Sequence, residues 1–449
     1  MPTQLKRCLS LWEIVVYGVG LILGAGIYVL IGATAGIAGN MVWLSFLMAS
    51  VVAGFTAMSY AELSTLFPKS AAEFVYTKAA FGSNALAWII GFCAVIIGFS
   101  TASAVAVGFA RYLTLFVTAD TLLLAFGLIV VMSLINFWGI KESARFNVLA
   151  TSIEVGGLML VIVAGGYQII TGSIPMADLL AFPHAAQSPF HSLFPVVSAG
   201  ALIFFAYMGF EDIANIAEEA ENPQKILPKA FIYSLVISTV IYILVAVVAI
   251  SVVPYEALAA ADQPLSLVMQ TLIGGIAPNL IALIALFATA NTVLITLIVG
   301  ARMLYGMANN NSLPAFLARV HRSRQTPWPA VIVMALISML FLFFKKIEVL
   351  ASISDVGIFV LFFMVNLSNI VLRYRQPDLL RPWRAPFNIG SFPVISALGA
   401  ISCLLMLMTI NHPVEVFGKQ ISSLIVGLLI FALAVPFYIL FGRKSEMNK

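Results

Sequence analysis

The sequence predicts an all-α integral membrane protein with about twelve transmembrane helices. Of its 449 residues, 62% are hydrophobic and only 9% are charged, whereas soluble domains carry about 25% charged residues. The apolar residues form about twelve separate runs, and a bilayer-spanning helix needs about 20 mostly apolar residues. The basic residues collect in alternate connections between these runs, which is the pattern of a polytopic membrane protein.

The predicted spans follow one another through short connections, without a Pro/Ser-rich linker. We therefore treat residues 1–449 as a single membrane domain. The first run is too long for the apolar part of a signal peptide, so we expect it to remain as the first helix. The predicted spans are Leu11–Ile37, Met41–Leu66, Ala85–Phe116, Leu122–Trp138, Val148–Ile170, Leu193–Ile216, Ala230–Val253, Ile276–Met307, Ala330–Phe344, Val349–Leu372, Pro393–Ile410 and Ile421–Phe441.

An even number of spans places both termini on one side of the membrane, and the positive-inside rule identifies that side. Of the 23 Lys and Arg residues, all lie on the terminal side except Arg111, Lys345, Lys346 and Lys419. The sequence therefore predicts a multi-pass protein of the cell membrane with both termini in the cytoplasm.

The sequence lacks the motifs that mark several classes of function. There is no HExxH, GxSxG or GxxxxGK[ST] motif, and Cys8, Cys93 and Cys403 are far apart. The four His residues fall in predicted connections. We therefore expect no enzymatic activity, no ATP-driven pumping, no cofactor, no metal site and no nucleic-acid partner. A channel is the alternative class, although no filter repeat or ring of charges is evident.

The first predicted span contains several glycines, and Gly24 and Gly26 flank Ala25 at its middle. Glycine weakens a helix by about 1 kcal/mol relative to alanine. Close helix packing is one explanation, because small residues are enriched where membrane helices meet. The other is an interrupted helix whose free backbone groups face a ligand.

The sixth predicted span favours the second explanation. Its apolar start is followed by Ala206, Gly209 and the carboxylate of Glu211. Interrupted segments at corresponding positions of two repeats indicate the binding site of a transporter. The first and sixth spans correspond if the core consists of two five-helix repeats, which we infer rather than detect as self-similarity.

Interrupted helices suit a zwitterionic ligand. A helix N-terminus offers free N–H groups to a carboxylate, and unwound carbonyl groups can accept hydrogen bonds from an ammonium group. The predicted substrate-binding residues are Gly24, Ala25, Gly26 and Ile27 in the first span and Phe205, Ala206, Tyr207, Met208 and Gly209 in the sixth.

Motifs along nearly the whole chain resemble those of the amino acid–polyamine–organocation permeases. The motifs that carry this resemblance are Gly24-Ala25-Gly26-Ile27, Ala61-Glu62-Leu63, Phe67-Pro68-Lys69-Ser70, Phe205-Ala206-Tyr207, Gly209-Phe210, Glu218-Glu219, Asn222-Pro223, Arg302, Leu304-Tyr305, Leu313-Pro314, Leu372-Arg373 and Arg381-Pro382-Trp383. The resemblance implies a leucine-transporter-like fold with a 5+5 inverted repeat at about 11–372, two further helices at about 393–441, and alternating access around broken helices one and six.

The same resemblance implies that the substrate carboxylate meets the turn at Gly24–Gly26 and that the amine meets carbonyl groups near Ala206. Two glycines that are frequent in the family are replaced here by Ala71 and Ala72. Its Asp-Gly turn after the eighth helix is Asn310-Asn311 in this chain; asparagine tolerates the left-handed backbone conformation, so we expect this turn to persist.

Glu154 is the predicted coupling residue. The matching family position in the fifth span often holds a lysine, which stands in for a bound cation beside the first helix. A carboxyl group inside a span is costly and is by default a functional candidate. Glu154 could carry a proton in each cycle or help to hold a sodium ion. The alternative is a protonated glutamate that bonds a neighbouring helix without any role in coupling.

The overall expectation is a secondary active transporter for amino acids, with proton coupling preferred because a single titratable group suffices for it. Sodium symport, amino acid exchange and polyamine transport are the alternatives. The apolar character of the predicted site favours a neutral substrate, whereas Glu211 and Asp355 argue for a cationic one. Either carboxylate could instead cap a helix or line a gate.

Overall fold

Helices form most of the chain in the computed structural model, which describes residues 5–181, 189–261, 263–344, 347–409, 413–416, 419–432 and 434–439. In chain order the helices are α1 (Leu11–Ala38), α2 (Val42–Leu66), α3 (Ala72–Phe81), α4 (Asn84–Leu113), α5 (Thr121–Trp138), α6 (Ile140–Ile170), α7 (Pro189–Ile203), α8 (Asp212–Asn215), α9 (Pro223–Val252), α10 (Tyr255–Ala260), α11 (Pro264–Ile273), α12 (Ala277–Asn309), α13 (Trp328–Phe341), α14 (Ile347–Arg375), α15 (Val394–Thr409), α16 (Ser423–Ala432) and α17 (Ala434–Phe437).

Eight helical stretches of the described chain are long and apolar enough to cross a bilayer. They are Leu11–Tyr28, Leu30–Leu66, Asn84–Leu113, Thr121–Trp138, Ile140–Ile170, Pro223–Val252, Asn279–Asn309 and Val356–Arg375. Their mean hydropathy ranges from 1.7 to 2.8. The prediction of an all-helical membrane protein is therefore confirmed at this level.

Five shorter apolar helices accompany these stretches, at Phe194–Ile203, Pro264–Ile273, Trp328–Phe341, Val394–Met408 and Gly427–Phe437. The segment Pro264–Ile273 lies in a predicted connection, and the other four overlap predicted spans. The count of about twelve spans stays a prediction. Two antiparallel hairpins occupy connections: β1 (Asn388–Ile389) pairs with β2 (Phe392–Pro393), and β3 (Pro413–Val416) pairs with β4 (Lys419–Ser422).

Helix α1 lies at the centre of the bundle. Ser10 caps its N-terminus: the Ser10 hydroxyl accepts from the N–H of Glu13 while the Glu13 carboxylate accepts from the N–H of Ser10, a reciprocal capping box. Helices α2, α6, α7, α9 and α12 all pack against α1. The pair of α4 and α12 forms another close contact, and α14 packs against α4. These contacts place α1, α4, α12 and α14 around one interior space.

A buried ion pair joins α12 to the connection after α8. The guanidinium group of Arg302 donates two hydrogen bonds to the carboxylate of Glu219, at 3.0 and 3.2 Å, and a third at 2.8 Å to the side chain of Asn136 in α5. Both partners of the ion pair are fully buried. The N–H groups of Cys8 and Leu9 also donate to the carbonyl of Glu219, at 2.9 and 3.0 Å, so this connection holds the N-terminal segment in place.

A second buried carboxylate, Glu62 of α2, binds the C-terminal end of α14 and the segment that follows it. It accepts from Arg373 at 2.5 and 2.9 Å, from Arg381 at 3.1 Å and from the backbone N–H of Ala385 at 2.9 Å. The ion-pairing residues of both clusters thus belong to the motifs that carry the family resemblance. Their charges satisfy one another inside the bundle, as buried charges must.

Two departures from the family pattern have a defined backbone conformation. Asn311 has φ of 56°, so the left-handed turn expected at Asn310-Asn311 is present. Ala71 also has a positive φ, of 60°, which disfavours a residue with a Cβ by about 1–2 kcal/mol. This strained residue packs against Gly306 of α12, where an added Cβ would lie 2.6 Å from the Cβ of Ala71.

The ion pair of Arg302 and Glu219 yields a prediction on stability. Replacing Arg302 with Met leaves a buried carboxylate unpaired, which costs about 3–5 kcal/mol. We expect a lower unfolding temperature for detergent-solubilised Arg302→Met protein and substantial recovery in the Arg302→Met/Glu219→Leu double variant. The exposed Arg322 supplies the control Arg322→Met, which should unfold like the wild type. Equal unfolding temperatures for the wild type and Arg302→Met would show that the ion pair of Arg302 and Glu219 does not stabilise the fold.

Candidate functional site

The path of α1 is interrupted at Gly24, which has φ of −24° and ψ of −156°, far from helical values. The interruption falls inside the Gly24-Ala25-Gly26 segment. Glycine accommodates such a backbone because it carries no Cβ. Beyond the interruption the helix restarts, and the first N–H groups of a restarted helix lack carbonyl partners within that helix.

The chain between α7 and α8 forms a second interruption. A 3₁₀-helix covers Phe204–Tyr207, and Gly209 then takes φ of 112°, a value that L-residues rarely adopt. The N–H of Gly209 donates at 2.8 Å to the carboxylate of Glu211, which is 6% exposed. The local sequence therefore supplies its own acceptor for a backbone group that the broken helix leaves free.

The two interruptions touch each other. A Cβ added at Gly26 would lie 2.9 Å from both Cα and Cβ of Ala206, and one added at Gly209 would lie 2.9 Å from Cβ of Leu21. The hydroxyl group of Tyr242, in α9, lies within hydrogen-bond distance of the carbonyl of Ile22 and 3.0 Å from that of Ala206. Tyr242 thus links both unwound segments through one side chain.

A cavity of about 160 Å³ opens beside these interruptions. A closed cavity of about 150 Å³ can hold a benzene molecule, so the space suits a ligand of the size of a small amino acid. Its walls come from α1, α3, α4, α8, α12 and α14 together with the unwound segment before α8. The polar residues that line it are Thr101, Thr292, Thr296, Ser354, Glu73, Glu211, Asp212 and Asn215.

Some of the predicted site residues line this cavity and others do not. Those that line it are Gly24, Gly26, Ala206, Met208, Gly209 and Glu211. Tyr207 is buried, and its hydroxyl donates at 3.0 Å to the carbonyl of Phe46 in α2. Ile27 is buried in the hydrophobic core. The side chains of Ala25, Phe205 and Asp355 lie outside the described part of the chain.

Sequence reasoning missed several cavity residues. Asp212 and Asn215 follow Glu211 within one turn of helix, and that proximity was the available signal. Glu73 is distant in sequence and enters the site because Asn215 donates to its carboxylate at 3.2 Å and Tyr60 donates at 2.9 Å. Tyr242 carried no sequence signal, because one tyrosine in an apolar span does not reveal its partners.

Glu154 lies in α6 and is fully buried. Neither of its carboxyl oxygens has a hydrogen-bond partner among the described residues. The hydroxyl of Tyr28, in the second half of α1, is likewise buried and has no hydrogen-bond partner among the described residues. Unsatisfied buried polar groups are rare, and a bound water molecule or ion is one of their explanations.

Close to the N-terminal segment, Glu218 fixes the connection between α2 and α3. Its carboxylate accepts from the backbone N–H of Ser70 at 3.1 Å. Burial raises the pKa of this carboxyl group, and the hydrogen bond and the charge of Lys69 partly oppose that change. The start of α3 bonds to Asn215, whose side-chain oxygen accepts from the N–H of Ala72 at 2.9 Å.

A helical membrane bundle with a cavity between two interrupted helices has the architecture of a secondary transporter. The chain belongs to the amino acid permease family, whose model matches residues 9–442. This membership confirms the family resemblance and makes the protein a membrane transporter rather than an enzyme.

The relatives of this chain are named for different substrates. The chain is 30% identical to the branched-chain amino acid permease BcaP of Bacillus subtilis (strain 168), over 99% of this chain and 95% of that protein. It is 28% identical to a methylthioribose transporter of the same strain, over 99% and 96% of the two chains. Vacuolar cationic amino acid transporter 2 of Arabidopsis thaliana is 32% identical over 84% of this chain, which spans 61% of that transporter's length.

The contact between Gly26 and Ala206 yields a prediction on binding. In Gly26→Val, the new side chain would push the two interruptions apart, so we expect amino acid binding to weaken by at least about tenfold. Binding to purified protein by scintillation proximity measures this. Gly108→Val in α4 is the matched control, since an added Cβ there meets nothing within 4 Å. Folded Gly26→Val protein with wild-type binding would show that the contact plays no part in the site.

Proposed function

We propose that the protein is a secondary active transporter that moves amino acids across the cytoplasmic membrane by alternating access. The observation that carries this proposal is the cavity beside the interruptions at Gly24–Gly26 and Ala206–Gly209. Neither Lys nor Arg is among the residues that line it. Free backbone N–H and C=O groups can there bind the carboxylate and ammonium groups that all amino acids share.

The relatives support amino acids as the substrate class. Branched-chain and cationic amino acid transporters appear among them, and a backbone site for the zwitterion explains how one architecture serves both side-chain types. The methylthioribose transporter shows that the family also includes a protein named for another substrate. A panel of competitors that includes this thiosugar and a polyamine therefore belongs in the first uptake experiment.

The twelve-helix topology and the 5+5 inverted repeat form part of the same proposal. The helices at Phe194–Ile203, Trp328–Phe341, Val394–Met408 and Gly427–Phe437, added to the eight longer stretches, would give twelve spans. Interruptions in the first and sixth spans correspond if the core at about 11–372 consists of two repeats. With twelve spans, the distribution of Lys and Arg favours cytoplasmic termini.

Uptake by purified protein in liposomes tests the proposed class. We expect saturable accumulation of a labelled amino acid that other amino acids inhibit, because each transport cycle carries bound substrate. Protein-free liposomes are the control, and planar bilayers test for conduction. Unitary currents without saturable uptake would replace the transporter assignment with that of a channel.

Glu154 is the proposed coupling residue. The burial of its carboxyl group without a hydrogen-bond partner among the described residues supports a role in binding a proton that the cycle takes up and releases. A proton is the preferred ion because one carboxyl group suffices for it, whereas sodium needs a cage of several oxygens. Sodium symport and exchange remain the alternatives that experiment must separate.

Gradient-driven uptake by Glu154→Gln liposomes tests this role, since the amide cannot take up the proton. We expect wild-type protein to accumulate substrate in a pH gradient and Glu154→Gln to lose that accumulation while retaining exchange of substrate. Glu142→Gln, an exposed change at the start of the same helix, is the control. Unchanged accumulation in Glu154→Gln would remove Glu154 from coupling, and wild-type accumulation that requires sodium and ignores pH would change the ion.

A further inference from the structure

Buried polar side chains follow one face of α6 from its first turn to Glu154. Ser143, Asn147, Thr151 and Glu154 succeed one another at intervals of four, four and three residues, which places them on the same side of a helix. Each of them is at most 2% exposed. At about 1.5 Å per residue, this row is about 17 Å long. Together with Asn291 of α12, these residues form what we call the α6 polar stripe.

Hydrogen bonds join the middle of the α6 polar stripe to α12. Asn147 donates through Nδ2 to Oδ1 of Asn291 at 3.0 Å, and Asn291 donates through Nδ2 to the hydroxyl of Thr151 at 3.1 Å. Thr151 accepts in that bond, so its hydroxyl keeps a proton to donate. The three side chains therefore form a polar surface with both donors and acceptors in the interior of the bundle.

Two members of the stripe present polar atoms without protein partners. Oδ1 of Asn147 and both carboxyl oxygens of Glu154 have no hydrogen-bond partner among the described residues. Such orphaned atoms are rare in protein interiors, and water is one of their usual partners. Because Thr151 lies between Asn147 and Glu154 on the same face, water bound to these atoms would connect Glu154 to the start of α6.

Beyond Glu154 the same face of α6 changes character. Its buried residues there are Gly157, Leu158, Val161 and Gly165, and none of these side chains can bind water. A Cβ added at Gly157 would lie 2.5 Å from Ile284 of α12, and one added at Gly165 would lie 2.2 Å from Val248 of α9. Apolar side chains thus fill this half of the helix interface, and the polar contacts of Glu154 along α6 lead in one direction only.

The charged groups around α6 leave Glu154 as the member of the stripe that can ionise. Lys141, Glu142 and Arg145 are exposed at the start of the helix. Helices α5 and α11 carry no titratable side chain, and Arg302 of α12 is bound to Glu219. On the other helices packed against α6, the titratable groups that interact with Glu154 are the hydroxyls of Tyr28 in α1 and Tyr242 in α9.

The first half of α1 covers the α6 polar stripe. A Cβ added at Gly20 would lie 2.1 Å from the hydroxyl of Thr151, 2.9 Å from Nδ2 of Asn291 and 3.2 Å from Nδ2 of Asn147. The missing side chain of Gly20 therefore lets α1 lie directly on these polar groups. Gly20 precedes the interruption at Gly24, so the covering part of α1 is the part that can move separately from the rest of the helix.

We propose that the α6 polar stripe is the route by which the proton of Glu154 exchanges with water at the side of the membrane where α1 and α6 begin. The proposed topology makes this the cytoplasmic side. The Glu154 carboxyl group gives its proton to a water molecule and becomes a carboxylate, and that water passes a proton to the next one along the stripe. Ser143, Asn147, Thr151 and Asn291 hold the water and keep their own charge, so they are positioning residues.

This inference rests on the proposed role of Glu154 and adds the side to which its proton has access. Thr151→Val tests the route, because valine keeps the shape of threonine and cannot bind water. We expect uptake driven by a pH gradient to slow by at least about tenfold. Exchange of substrate moves no net proton and should stay within about twofold of the wild-type rate. Liposomes with purified, monodisperse protein measure both rates.

Ser152→Val is the matched control, because it removes an exposed hydroxyl from the neighbouring position of α6, and it should leave both rates unchanged. Asn147→Leu is the second variant and should act as Thr151→Val does. In a Glu154→Gln background, Thr151→Val should not slow exchange further, since no proton remains to be carried. A purely structural role would slow exchange in both backgrounds.

Three outcomes separate the route from the coupling role. Wild-type pH-driven uptake in Thr151→Val and Asn147→Leu would overturn the route, and so would equal losses of uptake and exchange. If Glu154→Gln still lost its accumulation in either case, the coupling role would stand. Unchanged accumulation in Glu154→Gln would overturn the coupling role and the route together.

Introduced cysteines test the side of access. In protein with Cys8, Cys93 and Cys403 replaced by alanine, we expect Thr151→Cys to react with a membrane-impermeant methanethiosulfonate added on the cytoplasmic side and not on the other side. Val161→Cys, in the apolar half of the same face, is the control and should react from neither side. Reaction of Thr151→Cys from the outer side alone, or from neither side, would overturn the proposed access.

Discussion

The structure depends on one constraint, which is that backbone N–H and C=O groups inside a bilayer have to find partners within the protein. A continuous helix meets this requirement by itself, whereas the interruptions at Gly24 and Gly209 do not. The protein supplies partners from neighbouring side chains. Glu211 accepts from the N–H of Gly209, and the Tyr242 hydroxyl approaches the carbonyls of Ile22 and Ala206. Backbone groups that receive no such partner remain available to a ligand.

The same requirement explains why polar residues occur together in the interior. Ser59 donates to Asn366 at 2.7 Å, and Asn366 donates to Thr56 at 2.9 Å, so α2 and α14 share a chain of hydrogen bonds. Asn147 of α6 donates to Asn291 of α12 at 3.0 Å. Hydrogen bonds of this kind between membrane helices contribute about 0.6 kcal/mol each on average. Several of them fix the relative positions of the helices that surround the cavity.

Sequence reasoning located the interruptions because glycine and alanine cluster where an apolar span would otherwise favour large residues. It also singled out Glu154 as a candidate, since a carboxyl group is rare in such a span, and the role of Glu154 stays a prediction. It could not identify Glu73 or Tyr242 as neighbours of the site, because their partners are distant in sequence and a single chain without an alignment carries no record of those contacts. The number of spans was also hard to assign. The helix at Trp328–Phe341 is only 14 residues long, which is below the usual length of a transmembrane segment.

The buried arginines connect the folded state to biosynthesis. The positive-inside rule acts on the chain during insertion, when loop charges face the translocation machinery and tertiary contacts have not formed. In the proposed topology, Arg302, Arg373 and Arg381 are among the charges that lie on the cytoplasmic side. In the folded protein these residues are held by Glu219 and Glu62 and contribute little to the surface field. With the proposed topology, a charge-removing substitution at one of them would therefore act twice, first on membrane insertion and later on helix packing.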